Sequence, residues 1–300
     1  MSAVTIIMRS KDSDWVIDQA LAALYSQEFR DFELLVVDSG SKDRTLEMVR
    51  RYPHRLIEIP PSNYFPGSVL NMAIENCTSE IIVFVNSDCV LLHPDCLGKL
   101  VAQLKSPEVD AAFARQIPRP DAELWVRTDY AKSFPAEPRA PAWMTFSLPL
   151  AGFKRSAWKK HPFYTQAWAS EDSEWGHWAR ENGLTVRYLP ECRVMHSHNY
   201  TAKQLFARKY VEGEADVFIY GRKTNLASLV QQIALQTFRD ILIALKEASP
   251  MAAFSSLGRA VAGQLGYYRG VRLGWRRVHS KNLDLSIGQS VVLKNPGTGP

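Results

Sequence analysis

Short apolar runs alternate with helix-like segments over the first 120 residues, and this alternation restricts the chain to a few folds. Four runs have the length and composition of buried strands: VTIIM (4–8), FELLVVD (32–38), LIEI (56–59) and IIVFV (81–85). The segments between them have the helical spacing of apolar residues: 14–27, 41–52 and 68–77. Strands joined by crossover helices predict an α/β fold with a doubly wound, mostly parallel sheet, whose ligand crevice lies beyond the carboxyl ends of the strands.

Polar residues follow three of the predicted strands, where that crevice would lie. The segments are RSKD (9–12), DSGS (38–41) and NSD (86–88). Ser41 and Asp43, taken alone, are better explained as helix caps. No G-x-G-x-x-G follows the first strand and no G-x-x-x-x-G-K-[ST] occurs, which argues against a dinucleotide fingerprint and a P-loop.

Cysteine spacing and hydropathy indicate the compartment. The four cysteines include no C-x-x-C pair, so neither a zinc ribbon nor a disulfide framework is predicted and a reducing cytoplasm is expected. No stretch supplies the ~20 apolar residues of a membrane span, and the first residues do not resemble a leader. A soluble or peripheral protein is expected.

Basic residues are concentrated in the last third of the chain. Residues 201–300 carry 14 Lys and Arg against 6 Asp and Glu, whereas residues 1–200 carry 22 against 25. Near Trp275 and Tyr267-Tyr268 the basic residues are Arg269, Arg272, Arg276, Arg277 and Lys281. Their interleaving with apolar residues favours a membrane surface or a protein groove over nucleic acid, and a solvated helix face is the plain alternative.

Several motifs, taken in order, resemble those of a known family. VVDSGSKDRT, IIVFVNSD, SEDSEW and a later HSH are similar to the nucleotide-binding, metal-binding, base-bearing and metal-completing motifs of inverting family 2 glycosyltransferases of A-type (GT-A) fold. Three further segments resemble the rhamnosyltransferase-like subgroup of this family: 64–71, 114–125 and 194–214. The resemblance implies a catalytic domain over residues 1–220, with a nucleotide-binding half and an acceptor half, and a helical, basic extension over residues 221–300.

The reaction of such a family needs a cation, because a leaving nucleotide diphosphate develops negative charge. Asp88, after the fourth strand, is the expected carboxylate ligand. His196 and His198 stand two residues apart at a predicted strand end, which points both rings to one side. The resemblance implies that His196 completes a site for Mg²⁺ or Mn²⁺, with His198 as the further candidate.

An acceptor hydroxyl must lose its proton as it attacks, and a carboxylate in a partly dry pocket suits that task. Glu171 and Asp172 open a predicted helix, and the resemblance implies that Asp172 is the base with Glu171 beside the acceptor or in support. Acids in a first helical turn also favour the helix dipole, but Ser170 already offers a cap. Trp168 and Trp175 resemble a wall for sugar stacking.

Donor recognition is assigned to the first strand ends and to the loop near residue 65. The carboxylate of Asp38 can accept from the imide N–H of uracil or thymine, which cytosine lacks. The resemblance adds further donor-binding candidates: Arg9, Ser10, Asp12, Ser39, Asp43, Phe65, Gly67, Asn71 and Ser87. The expected donor is therefore a dTDP- or UDP-sugar, with rhamnose as the leading sugar, and the expected acceptor is a glycan or a lipid-linked glycan.

Two other classes of protein stay open. A sugar nucleotidyltransferase would share the sheet and the metal, but it should carry a glycine-rich triphosphate loop where this chain has RSKDSD. A noncatalytic sugar-nucleotide-binding scaffold would keep the fold without needing Asp88, Asp172 and His196.

The last 80 residues predict two helices, near 226–247 and 252–277. Leu226, Val230, Ile233, Ile241 and Leu245 form an apolar stripe on the first helix, which is typical of packing. Five glycines in the second helix predict close helix contact or a membrane-associated hairpin. Attachment at the inner face of the cell membrane and homo-oligomerisation are the competing expectations for this extension.

Overall fold

A computed structural model describes residues 4–280 of the chain. Within this range eight strands form one sheet: β1 (Val4–Ser10), β2 (Phe32–Asp38), β3 (Arg55–Glu58), β4 (Ile81–Val85), β5 (Val90–Leu91), β6 (Ala111–Ile117), β7 (Leu150–Lys154) and β8 (Val186–Met195). The α-helices are α1 (Ile17–Tyr25), α2 (Thr45–Val49), α3 (Pro66–Glu75), α4 (Cys96–Lys105), α5 (Leu124–Ser133), α6 (Arg155–Lys160), α7 (Glu171–Glu181), α8 (Ala202–Tyr220), α9 (Leu226–Lys246) and α10 (Pro250–Ser280).

The strand order explains how the chain forms a single crevice. From edge to edge it is β3-β2-β1-β4-β7-β6-β8-β5. The first four strands are parallel neighbours, as predicted. β7 runs antiparallel to both β4 and β6, and β8 is parallel to β6. Because two reversals restore the original direction, β6 and β8 end at the same edge as β1, β2 and β4.

Both faces of the sheet are covered, which accounts for the nearly continuous apolar strands. On one face Ile6 and Met8 pack in a cluster with Leu21 of α1 and Leu100 of α4. On the other face Ile7 packs in a cluster that includes residues of α3, α6 and α7. The predicted α/β, doubly wound fold is therefore confirmed.

The predicted helix over 41–52 is much shorter in the structure, where α2 spans Thr45–Val49. Asp43 does not cap it, because the N-cap residue is Arg44 and makes no side-chain cap. Instead, the Asp43 carboxylate accepts hydrogen bonds from the backbone N–H groups of Thr45 (3.0 Å) and Asp14 (3.0 Å). It thereby joins the loops that follow β1 and β2.

Three of the five glycines of α10, Gly266, Gly270 and Gly274, allow close contact with α8. A Cβ added at Gly266 would collide with the carbonyl oxygen of Phe206, and one at Gly270 would collide with that of Tyr210. Gly213 of α8 meets the Tyr267 carbonyl of α10 in the same way. Of the two explanations offered by the sequence, close helix contact is the one that the structure supports.

Several groups of the predicted basic segment are used inside the protein. Arg277 is buried and pairs with Glu214. The Tyr267 hydroxyl donates to Asp216 (2.7 Å), and the Trp275 indole N–H donates to the carbonyl oxygen of Arg222 (2.7 Å). Lys281, with the rest of residues 281–300, lies outside the described residues. None of the helices between residues 4 and 280 combines the length and apolar character that crossing a membrane requires.

The apolar stripe predicted to pack on α9 is mostly exposed, and that expectation is wrong. Leu226, Val230 and Leu245 are 64%, 62% and 67% exposed. The residues that α9 buries are Leu229, Asp240 and Ala244, and none of them belongs to the predicted stripe. Helical spacing identified an apolar face but not the surface to which it would turn.

We expect Gly270→Ala to lower the free energy of unfolding by about 1–3 kcal/mol, because the added methyl group forces α8 and α10 apart. Gly258→Ala on the same helix is the matched control. No atom lies within 4 Å of its added Cβ, and alanine is favoured over glycine in a helix by about 1 kcal/mol. Urea denaturation measures both variants, and equal stability would contradict the close contact.

Candidate active site

The carboxyl-terminal ends of two strands supply the candidate metal site. Asp88 follows β4, and His196 and His198 follow β8. The Asp88 Oδ2 lies 2.9 Å from the Nε2 of His198 and 3.6 Å from the Nε2 of His196. One ligand atom from each residue lies within 4.8 Å of the other two. The three residues predicted as metal ligands are therefore together in the fold, and their oxygen and nitrogen donors can hold one divalent cation.

Neighbours of His196 orient its ring. The Nδ1 atom lies 2.9 Å from the Gln116 Oε1 and 3.3 Å from the Tyr130 hydroxyl, so the Nε2 atom is the one that faces Asp88. Burial lowers the pKa of His196 to about 4: the negative charge of Asp88 opposes this shift, and the nearby charges of His198, Arg208 and Arg119 add to it. The ring is neutral at pH 7, which a metal ligand requires. Gln116 and Tyr130 are site residues that sequence reasoning missed.

Asp172 lies in the first turn of α7. Its two carboxylate oxygens accept from the backbone N–H groups of Ser173 (2.8 Å) and Leu148 (3.4 Å). Burial of the carboxylate, followed by the charge of Glu171, raises the pKa of Asp172 to about 6. Such a group is ionised at pH 7 and is a stronger base than an ordinary aspartate.

Arg9 is engaged by Glu171. One guanidinium nitrogen of Arg9 donates to the Glu171 Oε1 at 2.7 Å, and both side chains are mostly buried. Asp172 adds its negative charge to the surroundings of the same guanidinium. The structure pairs Arg9 with the carboxylate beside the candidate base, and its predicted contact with the nucleoside stays a prediction.

The predicted donor loops hold one another in place. Asp38 is fully buried, and its carboxylate accepts from the N–H groups of Gly40 and Ser41 and from the Ser41 hydroxyl (2.6–2.9 Å). Asp12 accepts from the N–H of Lys42 at 2.8 Å. These carboxylates fix the loop after β2 against the loop after β1.

The predicted serines line the same strand ends. The Ser39 hydroxyl donates to the carbonyl oxygen of Ser10 (3.3 Å), and the Ser87 hydroxyl lies 2.8 Å from that of Ser13. The Ser10 hydroxyl is buried and has no hydrogen-bond partner among the described residues. A donor or acceptor group from a ligand is what this hydroxyl lacks.

Three predicted donor-site residues between positions 65 and 71 make contacts within the protein. The Asn71 amide donates to the carbonyl oxygen of Phe163 and accepts from Phe163 N–H and Trp158 Nε1, at 2.8–3.0 Å. Gly67 is buried where a Cβ would collide with the carbonyl of Tyr164. Both residues join α3 to the segment before α7, and their contact with a donor stays a prediction. Phe65 packs edge-on against Trp168 at 5.4 Å and is 8% exposed.

The prediction that Trp168 and Trp175 form a wall for sugar stacking is wrong for Trp175. Trp175 is fully buried, and its indole N–H donates to the carbonyl oxygen of His161 at 2.9 Å. The inward face of α7 carries Trp175 into the core, where no sugar reaches it. Trp168 remains a candidate with 6% of its surface exposed. Ser170 precedes α7 with a positive φ of 66° and makes no side-chain cap, contrary to expectation.

Two arginines near these groups were not predicted. Arg208 of α8 donates to Glu212 at 2.6 Å, and its positive charge reaches both Asp172 and His196. Arg119 lies over the Trp15 ring, and one of its guanidinium nitrogens is buried without a hydrogen-bond partner among the described residues. Positive groups beside a cation site are suited to a diphosphate. No local motif marks them, because each reaches the crevice from a separate element.

Known proteins are similar to this chain in sequence and in fold. RfbN, an O-antigen chain rhamnosyltransferase of Salmonella typhimurium, is 26% identical over 223 residues, which are 70% of this chain and 71% of that protein. The mannosyltransferase PcManGT from Pyrobaculum calidifontis, in complex with GDP-Man and Mn²⁺, has a TM-score of 0.58 at 19% identity over 98% of this chain and 81% of that one. S. aureus TarS 1–349, in complex with UDP-GlcNAc, has a TM-score of 0.54 at 17% identity, with 91% and 92% covered.

The family model for glycosyl transferase family 2 matches residues 5–164, more than half of the chain. This match favours a glycosyltransferase over the nucleotidyltransferase and the noncatalytic scaffold. The predicted GT-A fold agrees with the two similar structures. The chain belongs to glycosyl transferase family 2, and it is a glycosyltransferase of the GT-A fold that is similar to rhamnosyltransferases.

Proposed function

We propose that this glycosyltransferase is metal-dependent and inverting, and that it transfers rhamnose from a dTDP- or UDP-sugar to a hydroxyl group of a glycan or lipid-linked glycan. It would act in cell-envelope polysaccharide synthesis, in the cytoplasm at the inner face of the membrane. The observation that carries the proposal is the convergence of the Asp88–His196–His198 cluster and the basic Asp172 carboxylate on one crevice, with Arg208 between them.

The chain's own groups divide the reaction between them. Asp172 takes the proton from the acceptor hydroxyl while that oxygen attacks the anomeric carbon from the face opposite the leaving group. Arg208 and Arg119 bind the diphosphate oxygens by charge-assisted hydrogen bonds. A divalent cation held by Asp88, His196 and His198, either Mg²⁺ or Mn²⁺, supplies neutralisation of the leaving group's charge. The Mn²⁺ of PcManGT supports this choice of cation.

The donor base is inferred from Asp38. Its carboxylate accepts three hydrogen bonds within its loop, so its orientation is fixed. Asp38 is fully buried, so an imide N–H reaches this carboxylate only after the loop that follows β2 has opened. Uracil and thymine carry that donor. We propose that Ser10 contacts the nucleoside, because its buried hydroxyl has no hydrogen-bond partner among the described residues. Rhamnose is supported by the resemblance to RfbN.

Asp172→Asn should remove most turnover, because the amide keeps the shape of the carboxylate and loses its basicity. A loss of about 10²–10⁴ in kcat is expected, with donor and metal binding nearly unchanged. Glu181→Gln, at the exposed end of the same helix, is the matched control and should keep its turnover. Wild-type-like turnover by the purified Asp172→Asn enzyme would exclude Asp172 as the base.

Activity should fall as the pH drops through about 6, where Asp172 becomes protonated. Glu171→Gln removes a negative charge that raises the pKa of Asp172, so the acid limb should move to lower pH by about one unit. Arg9→Gln removes a positive charge near the same carboxylate and should move the limb to higher pH. Profiles of kcat/KM against pH for the three enzymes test this, and limbs that coincide would contradict it.

Asp88→Ala and His196→Ala should each weaken metal-dependent binding of a nucleotide diphosphate and leave binding of the free nucleoside nearly unchanged. Calorimetry with UDP and dTDP, with Mn²⁺ or Mg²⁺ and after chelation with EDTA, measures the difference. His54→Ala is the control, because His54 precedes β3 at the opposite edge of the sheet. Unchanged metal dependence in both variants would refute a shared site.

A further inference from the structure

An exposed apolar face runs along α9 and continues onto the first turns of α10. On α9 the exposed side chains are separated by three, four or eight residues: Leu226, Val230, Phe238, Leu242 and Leu245. On α10, Met251 and Phe254 are 83% and 94% exposed, and Leu257 is 57% exposed. Soluble surfaces seldom carry so many large apolar side chains together, so such a face indicates a binding surface. We call these residues of α9 and α10 the apolar face.

A shallow groove of about 430 Å³ lies within the apolar face, between the two helices. It is lined by Val230, Ile233, Phe238, Ile241 and Leu257, together with smaller groups. No charged side chain lines it. The groove therefore suits an apolar occupant without fixed polar groups.

Charges around the apolar face distinguish between two apolar occupants, a second copy of the chain and a lipid bilayer. Along α9 and its flanks the exposed charged side chains are Arg222, Lys223, Arg239 and Lys246, against Glu247 alone. Asp240 is buried and faces Arg259 of α10. A second copy of the chain, docked about a twofold axis, would bring this positive rim against itself. An anionic bilayer offers apolar acyl chains and a complementary charge at once.

One helix, α5, connects the α9–α10 pair with the candidate metal site. The inner side of the pair, with Ala244 and Ala252, packs against Leu124 and Trp125 of α5. The next turn of α5 carries Tyr130, whose hydroxyl lies 3.3 Å from the His196 ring. A bilayer at the apolar face would therefore lie on the other side of α5 from the metal cluster.

We infer that the apolar face of α9 and α10 docks into the interface of an anionic phospholipid bilayer, with Met251 and Phe254 inserted among the acyl chains and the flanking Lys and Arg side chains at the headgroups. This inference goes beyond the proposed sugar transfer and stands independently of it. It also assigns attachment to a surface different from the Arg269–Lys281 segment that the sequence singled out.

Co-sedimentation of the full chain with vesicles tests the inference without donor, acceptor or metal. Binding is expected to vesicles of phosphatidylglycerol and phosphatidylcholine, to fade with salt, and to be far weaker with phosphatidylcholine alone. Phe254→Ser should weaken binding by roughly tenfold to a hundredfold, and Lys246→Gln by about fivefold. Trp143→Ser is the matched control, since Trp143 is 61% exposed but lies outside the apolar face.

Other outcomes would overturn the inference. Unchanged binding by Phe254→Ser, with loss of binding in Arg269→Gln/Arg276→Gln, would move the contact to the later part of α10. A second copy would be the occupant if the protein does not co-sediment with vesicles and analytical ultracentrifugation shows a dimer. In that case Phe254→Ser should make the protein monomeric. Donor hydrolysis by Phe254→Ser should equal that of the wild type, so a failure of vesicle binding is separable from a failure of the proposed reaction.

Discussion

The pairing of β7 between β4 and β6 is the constraint on which the active site depends. β7 is antiparallel to both neighbours, so β6 and β8 regain the direction of β4. Gly152 allows this close pairing, since a Cβ there would lie 2.8 Å from the carbonyl oxygen of Ile82 and equally close to Leu104. As a result, His196 and His198 reach Asp88, although they stand far apart in the sequence.

Burial shifts the pKa values of His196 and Asp172 in opposite directions. It disfavours charge on either group, so it lowers the pKa of the His196 imidazole to about 4 and raises that of the Asp172 carboxyl to about 6. At pH 7 His196 therefore offers an electron pair to a cation, and Asp172 is ionised yet more ready to take a proton. The Arg9–Glu171 pair adjusts the second of these values, because its two charges act on Asp172 in opposite directions.

The C-terminal helices α8, α9 and α10 contribute to the active site and also pack around it. α8 presents Arg208 to the crevice and packs its glycine-containing side against α10. The α9–α10 pair rests on α5, which carries Tyr130 toward His196. A surface that docks at the apolar face is thus connected to the metal cluster through packed helices rather than through a flexible segment.

The sequence by itself determined the parallel half of the sheet, because apolar periodicity and strand-end position are local properties. The resemblance of its motifs to a known family implied the grouping of Asp88 with His196 and His198. It also indicated Asp172 through a motif. Only the tertiary structure decided which side chains turn inward: Trp175 and Asn71 became packing residues, the α9 stripe stayed exposed, and Arg208, Gln116 and Tyr130 joined the site. Periodicity identifies an apolar face, but the partner of that face, and the groups that meet across a crevice, depend on contacts between elements that are distant in the chain.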